Sequence, residues 1–132
     1  MSMRTWIIED MCDRLENWEG RTLFIGDLAY YIYQSPMADG SVLYSTYETR
    51  QWIAKYFEDI AEAIEDYDLG EFMDFSKAFT EPEAFHVDLV MTLAKEYIFE
   101  SEWVKEHEDE EVELTEEIIE TIKGELLATI NE

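Results

Sequence analysis

Cysteine, proline, glycine and basic residues are all scarce in this chain, and each scarcity closes off a class of protein. The single cysteine, Cys12, excludes an internal disulfide and a cysteine-rich zinc site. A reducing cytoplasm is the expected compartment. Two prolines and five glycines leave no linker-like stretch, and no internal repeat is present, so residues 1–132 read as one domain. The longest uninterrupted apolar run, Leu28-Ala-Tyr-Tyr-Ile-Tyr33, is far short of a membrane span. No basic segment followed by an apolar one opens the chain, so no secretory signal is expected. Nine lysines and arginines stand against 33 acids, a formal net charge of −24. Direct contact with DNA or RNA needs a basic surface that nine bases do not supply. An anionic membrane surface repels such a chain as well. Cations and basic proteins remain as partners.

What is present is enough apolar material for a core: 47% of residues are hydrophobic and 14% aromatic, which argues against global disorder. The spacing predicts a mainly α domain of about five helices around a central buried helix. The first helix covers residues 5–18, with Thr5 as cap and Gly20 as stop, and Ile7, Ile8, Met11, Cys12, Leu15 and Trp18 on one face. The run at residues 28–33 suits either a short buried helix or a strand. Leu23-Phe-Ile25 and Val42-Leu-Tyr44 can pair as a hairpin, so a small β element before residue 45 stays open.

Ser45-Thr-Tyr-Glu48 has capping-box spacing and predicts a helix over 45–67, with Ile53, Tyr56, Phe57, Ile60, Ile64 and Tyr67 as its apolar stripe. Thr80-Glu-Pro-Glu83 has the same spacing and predicts a helix reaching residues 100–106, apolar almost all round and therefore central. Thr115 caps a last helix with Ile118, Ile119, Ile122, Leu126 and Ile130 in line.

Catalytic constellations are sparse. Glu83 and His86 form one Glu-x-x-His pair, whereas di-iron bundles need two such pairs and two further glutamates. His86 lies in the apolar arc of its helix and reads as a core histidine. Residues 66–70 resemble a calcium loop faintly, with the glycine misplaced and one acid missing. Cys12 sits on an apolar stripe, as a structural thiol does. No phosphate loop or nucleophile elbow occurs. A non-enzyme without cofactor or metal is the expectation. Tyr30, Tyr31, Tyr33, Tyr44 and Tyr47 cluster in one segment. Most suit the core, while Tyr30, Tyr33, Tyr44 and Tyr47 are candidate interface anchors.

Acidic helix faces keep small proteins soluble, yet −24 on 132 residues exceeds that need and opposes folding through self-repulsion. Duplex DNA carries one charge per about 1.7 Å of axis, so this net charge matches about 40 Å of duplex. A compact domain of this length is about 35–40 Å across. Glu58, Glu62 and Asp66 recur at i, i+4, about 6 Å apart along a helix axis, with Asp59 and Glu65 beside them. Residues 100–120 hold eleven acids and one base, Lys105, and offer a second row in Glu102, Glu106, Glu108, Asp109, Glu110, Glu111 and Glu113.

The segment Gly26-Asp-Leu-Ala-Tyr30, then Ala38-Asp-Gly-Ser-Val-Leu-Tyr-Ser-Thr-Tyr47 leading into Trp52-Ile53, resembles a family of small acidic proteins of phages and conjugative elements. Glu81-Pro-Glu-Ala-Phe85 and Glu113-Leu-Thr-Glu-Glu-Ile118 resemble its later blocks, so the resemblance spans about residues 22–122. It carries no catalytic residue across. In size, charge and helicity the chain is also similar to phage proteins that mimic DNA and inhibit restriction enzymes or RNA-guided Cas nucleases. The resemblance implies an anti-defence inhibitor whose partner is a basic nucleic-acid-binding protein, a Cas effector or a restriction enzyme, with the chain a monomer or homodimer. The other expectation is a phage regulatory or assembly adaptor that binds through its aromatics, its acidic face merely solvated.

Overall fold

In the computed structural model, which describes residues 2–34, 46–71 and 75–130, the chain opens on α1 (Met3–Glu16). Ser2, not Thr5, is the cap: its hydroxyl accepts the Thr5 N–H at 3.1 Å. Met3 stands one turn before Ile7, so it extends the apolar stripe and is buried with Ile7, Ile8, Met11, Cys12, Leu15 and Trp18. Gly20 turns the chain at φ +84, where a side chain is strained, and donates its N–H to the Leu114 carbonyl at 2.7 Å.

Strand β1 (Thr22–Phe24) follows, then a 3-10 turn and α2 (Leu28–Gln34), so the ambiguous tyrosine-rich run is a helix. The small β element does form before residue 45, with a partner the sequence pattern did not suggest. β1 pairs antiparallel with β2 (Glu111–Glu113), Thr22 opposite Glu113 and Phe24 opposite Glu111. Val42-Leu-Tyr44 and the expected cap Ser45 lie outside the described residues.

The helix expected over 45–67 is two, α3 (Thr46–Lys55) and α4 (Phe57–Asp66), joined at Tyr56 with φ −106 and ψ 22. Backbone bonds from Tyr56 N–H to Trp52 and from Ile60 N–H to Tyr56 keep this a kink rather than a loop. The kink re-aims α4. Ile60 and Ala63 face the core, while Phe57 and Tyr67, expected on the stripe, are exposed.

A short α5 (Lys77–Thr80) takes Thr80 into its own turn. The capping box expected there does not start α6 (Pro82–Tyr97). Glu81 precedes α6 without a side-chain cap, and Pro82 sets its first turn. α6 is the central helix, packed on α1, α2, α3 and α5 with Phe85, Leu89, Val90, Leu93, Ala94 and Tyr97 buried. It ends at Tyr97 and not beyond residue 100. After a 3-10 turn, extended Ser101 caps α7 (Glu102–Glu106) through the Val104 N–H. Thr115 caps α8 (Glu116–Ile130) as expected, accepting the Ile118 N–H at 3.2 Å. Ile119, Ile122 and Leu126 are buried, and α8 packs on α1. Eight helices therefore stand among the described residues where five were expected, because Tyr56, the separate turn before Pro82, and Ser101 each interrupt the chain. No helix among the described residues is long and apolar enough to cross a membrane.

Candidate functional site

The acids of α4 are positioned by its contact with the start of α1. Asp59 is half-buried and accepts the Met3 N–H at 2.9 Å, which satisfies one of the orphan donors of α1. It is thereby a structural carboxylate, unlike its neighbours. Glu58, Glu62, Glu65 and Asp66 are exposed, and their side chains have no ion-pair or hydrogen-bond partner among the described residues. Glu62 and Asp66 line a cleft of about 300 Å³ with Met3, Arg4, Tyr67 and Tyr97. Arg4 is turned to other partners, Glu100 at 2.7 Å and the Thr129 hydroxyl at 3.0 Å.

The second acidic set is folded too. α7, the turn at residues 107–109 and β2 carry Glu102, Glu106, Glu108, Asp109, Glu110, Glu111 and Glu113, all exposed. Among the described residues only Glu102 of this set has an ion-pair partner, Lys105 at 3.3 Å, a solvent-facing pair worth little. The set is pinned from below. Ile25 N–H donates to the Glu110 carbonyl at 2.9 Å, Leu114 N–H donates to the Arg21 carbonyl at 2.8 Å, and the Ser101 hydroxyl donates to Glu125 at 2.7 Å. His107 stacks on Trp103 with ring centroids 4.1 Å apart. Gly26 is required here: a Cβ would meet the Glu108 carbonyl at 2.8 Å and the Phe24 ring at 2.9 Å. Nothing in the spacing of the sequence marks Gly26 or the β1 pairing as support for the acidic turn.

The two sets do not form one row. α4 is anchored beside the first residues of α1, and β2 beside Gly20 and Arg21 past its other end. The fourteen residues of α1 make a helix about 21 Å long, and the two sets lie beside its opposite ends.

The aromatic candidates separate. Tyr33 is buried and is no surface anchor. Its hydroxyl donates to Asp10 at 2.8 Å, and the Arg14 guanidinium lies 4.5 Å from its ring centroid. Burial, then the neighbouring Asp10, holds its hydroxyl well above the ordinary tyrosine range. Tyr30 is exposed, edge-on to Tyr31 with Lys95 over its face. Tyr47 is 69% exposed and accepts from Gln51 at 2.8 Å. Tyr44 lies outside the described residues.

The candidates for chemistry lie where the sequence placed them. Cys12 is buried, and burial pushes its thiol up to about 11, away from the reactive thiolate. His86 is 2% exposed, with Trp52 at 4.4 Å and Trp6 at 6.0 Å between ring centroids, while Glu83 is exposed. Burial lowers the imidazole to about 4, against the pull of Asp10. Among the described residues no three His, Cys, Asp or Glu side chains converge on a point where a metal ion would sit. No family model, curated protein or solved structure matches the chain.

Proposed function

We propose that this chain is a non-enzymatic anti-defence inhibitor of a phage or mobile element. It acts as an acidic mimic of DNA and occupies the basic nucleic-acid channel of a host nuclease, a Cas effector or a restriction enzyme. One observation carries the proposal. Eleven exposed carboxylates stand in two folded sets, four on α4 and seven over residues 102–113. At one charge per about 1.7 Å, eleven charges equal those on about 19 Å of duplex DNA. α4 carries no base, and residues 102–113 carry one. Arg4, Arg14 and Lys123 are held by Glu100, Asp10 and Glu16, and Lys105 alone stands within the second set.

A nuclease that draws DNA into a basic cleft meets comparable charge density on this protein, with the backbone ordering already complete. Attraction between the two is strong at low salt and weakens as salt rises. The test is capture of partners from a host lysate on the tagged full chain, washed at low and high salt with and without duplex DNA. The expected result is a basic nuclease that both salt and DNA displace. Replacing Glu58, Glu62 and Glu65 by Gln and Asp66 by Asn together abolishes inhibition of that nuclease while the thermal melt is kept. A partner indifferent to salt and DNA, or a fourfold variant that still inhibits, overturns the proposal.

A further inference from the structure

One face of the molecule contradicts its overall charge. α3 and α5 together carry three bases, Arg50, Lys55 and Lys77, and one acid, Glu48, so their net charge is +2. The rest of the chain holds six bases and 32 acids. Arg50, Lys55 and Lys77 are exposed, and none has a carboxylate within ion-pair distance among the described residues.

An apolar groove of about 300 Å³ is lined by Arg50, Ile53, Ala54, Phe57, Ala78 and Phe79, of which α3 and α5 supply all but Phe57. Its walls are large hydrophobic side chains left in solvent. Phe57 is 43% exposed and Phe79 is 64% exposed. They are not loose. Phe75 braces both from below, with ring centroids 5.1 Å from Phe57 and 6.5 Å from Phe79, and is itself set against buried Phe85 at 5.8 Å. The kink at Tyr56 is what turns Phe57 out of the core and into this wall. Exposed aromatics on a rigid base, grouped around a depression, mark a binding surface more than they mark a solvated one.

We infer that this groove is a second docking surface, which receives an acidic segment of another protein bearing aromatic or aliphatic side chains. The apolar side chains of the occupant fill the space between Phe57 and Phe79. Its carboxylates meet Arg50 at the groove and Lys55 and Lys77 at its rim, and Arg50 can hold a carboxylate through two parallel N–H donors. A second copy of this chain is disfavoured by −24 on each partner. The same net charge does not forbid a short acidic segment. At about 0.15 M salt the screening length is about 8 Å, so an occupant seated in the groove responds to Arg50 in its lining more than to the net charge of the whole chain. This surface is independent of the acidic faces, which would engage a basic partner.

The test is selection from a displayed random-peptide library on the immobilised full chain at about 0.15 M salt. The expected winners combine Asp or Glu with Phe, Leu or Trp. Phe79→Ser and Arg50→Glu each weaken a synthetic winner about tenfold or more. Both replaced side chains are exposed, and a thermal melt on each variant verifies that the fold is kept. Glu62→Gln, on the acidic face, leaves the affinity unchanged. Four results overturn the inference. They are an unenriched library, enrichment of basic peptides, acidic winners that bind both groove variants as well as wild type, and a concentration-dependent dimer in sedimentation that both variants abolish. The dimer would assign the groove to a second copy instead.

Discussion

Between α1 and α2, Asp10 accepts from Arg14 Nε at 2.9 Å and from the Tyr33 hydroxyl at 2.8 Å, and the arginine is only 6% exposed. Along residues 102–113, seven carboxylates stand in water with one lysine among them. In the first region charge is tied to one geometry, because an unpartnered ion in the interior costs more than its neighbours return. In the second, only Glu102 has an ion-pair partner among the described residues, because water screens the rest. The interior set holds two helices together. The surface set adds self-repulsion to the fold and offers its potential to something outside.

Breaking the interior set produces the largest expected effect. Asp10→Ala removes the shared acceptor of Arg14 and Tyr33 and lowers unfolding free energy by about 3–5 kcal/mol in urea titrations. Pairing it with Arg14→Met restores much of the loss, since the second change takes away the stranded ion. A single-variant loss no larger than that of an exposed glutamate would erase the distinction between the two regions.

His86 sharpens the comparison through pH. Its folded value, about 4, lies below the ordinary 6.5, so the unfolded chain binds the proton first as pH falls. Stability is therefore full above about 6.5 and drops towards pH 4, by about 3 kcal/mol in all. Titrating His86→Gln beside the wild type isolates the contribution of this one group. The wild type should lose stability relative to the variant through the window, and parallel curves would show that His86 charges freely in the fold.

Gly26→Ala tests how firmly the acidic turn is held. A methyl group there collides with the Glu108 carbonyl at 2.8 Å, a backbone atom that yields only if the turn moves. The expected cost is about 1–3 kcal/mol, with faster hydrogen exchange at the Ile25 amide that bonds Glu110. Unchanged exchange would mean that the turn moves without strain. The smallest effect belongs to the fourfold neutralisation on α4. Its stability should stay within about 1 kcal/mol of wild type, or rise, and the difference should shrink with added salt.

The local elements were legible in the sequence to the extent that one periodicity governed them. The stripe of α1, the central place of α6 and the Thr115 cap of α8 follow from 3.6-residue spacing and hydroxyl chemistry, and the structure has them. The kink at Tyr56 was not legible. No proline or glycine marks it, and its cause is tertiary: Tyr56 is buried edge-on to Trp52 while Ile60 must also reach the core. The pairing of β1 with β2 was hidden for a related reason. Two three-residue strands at opposite ends of the chain carry no shared pattern, and β2 looks like solvated acid. For the candidate site, the exposed acids could be listed from the sequence, but Asp59 and Tyr33 change role on folding because each found a donor or acceptor on another element.

By itself the sequence determined the helical class, the apolar faces and the excess of acid, since each depends only on residue type and short-range spacing. Only the tertiary structure decided which carboxylates are bonded and which are free. It alone set the two acidic sets at opposite ends of α1, and it alone brought Phe57, Phe79 and Arg50 to one groove. Those outcomes depend on which surfaces of distant segments bury each other, and burial between distant segments leaves no trace in the spacing within either one.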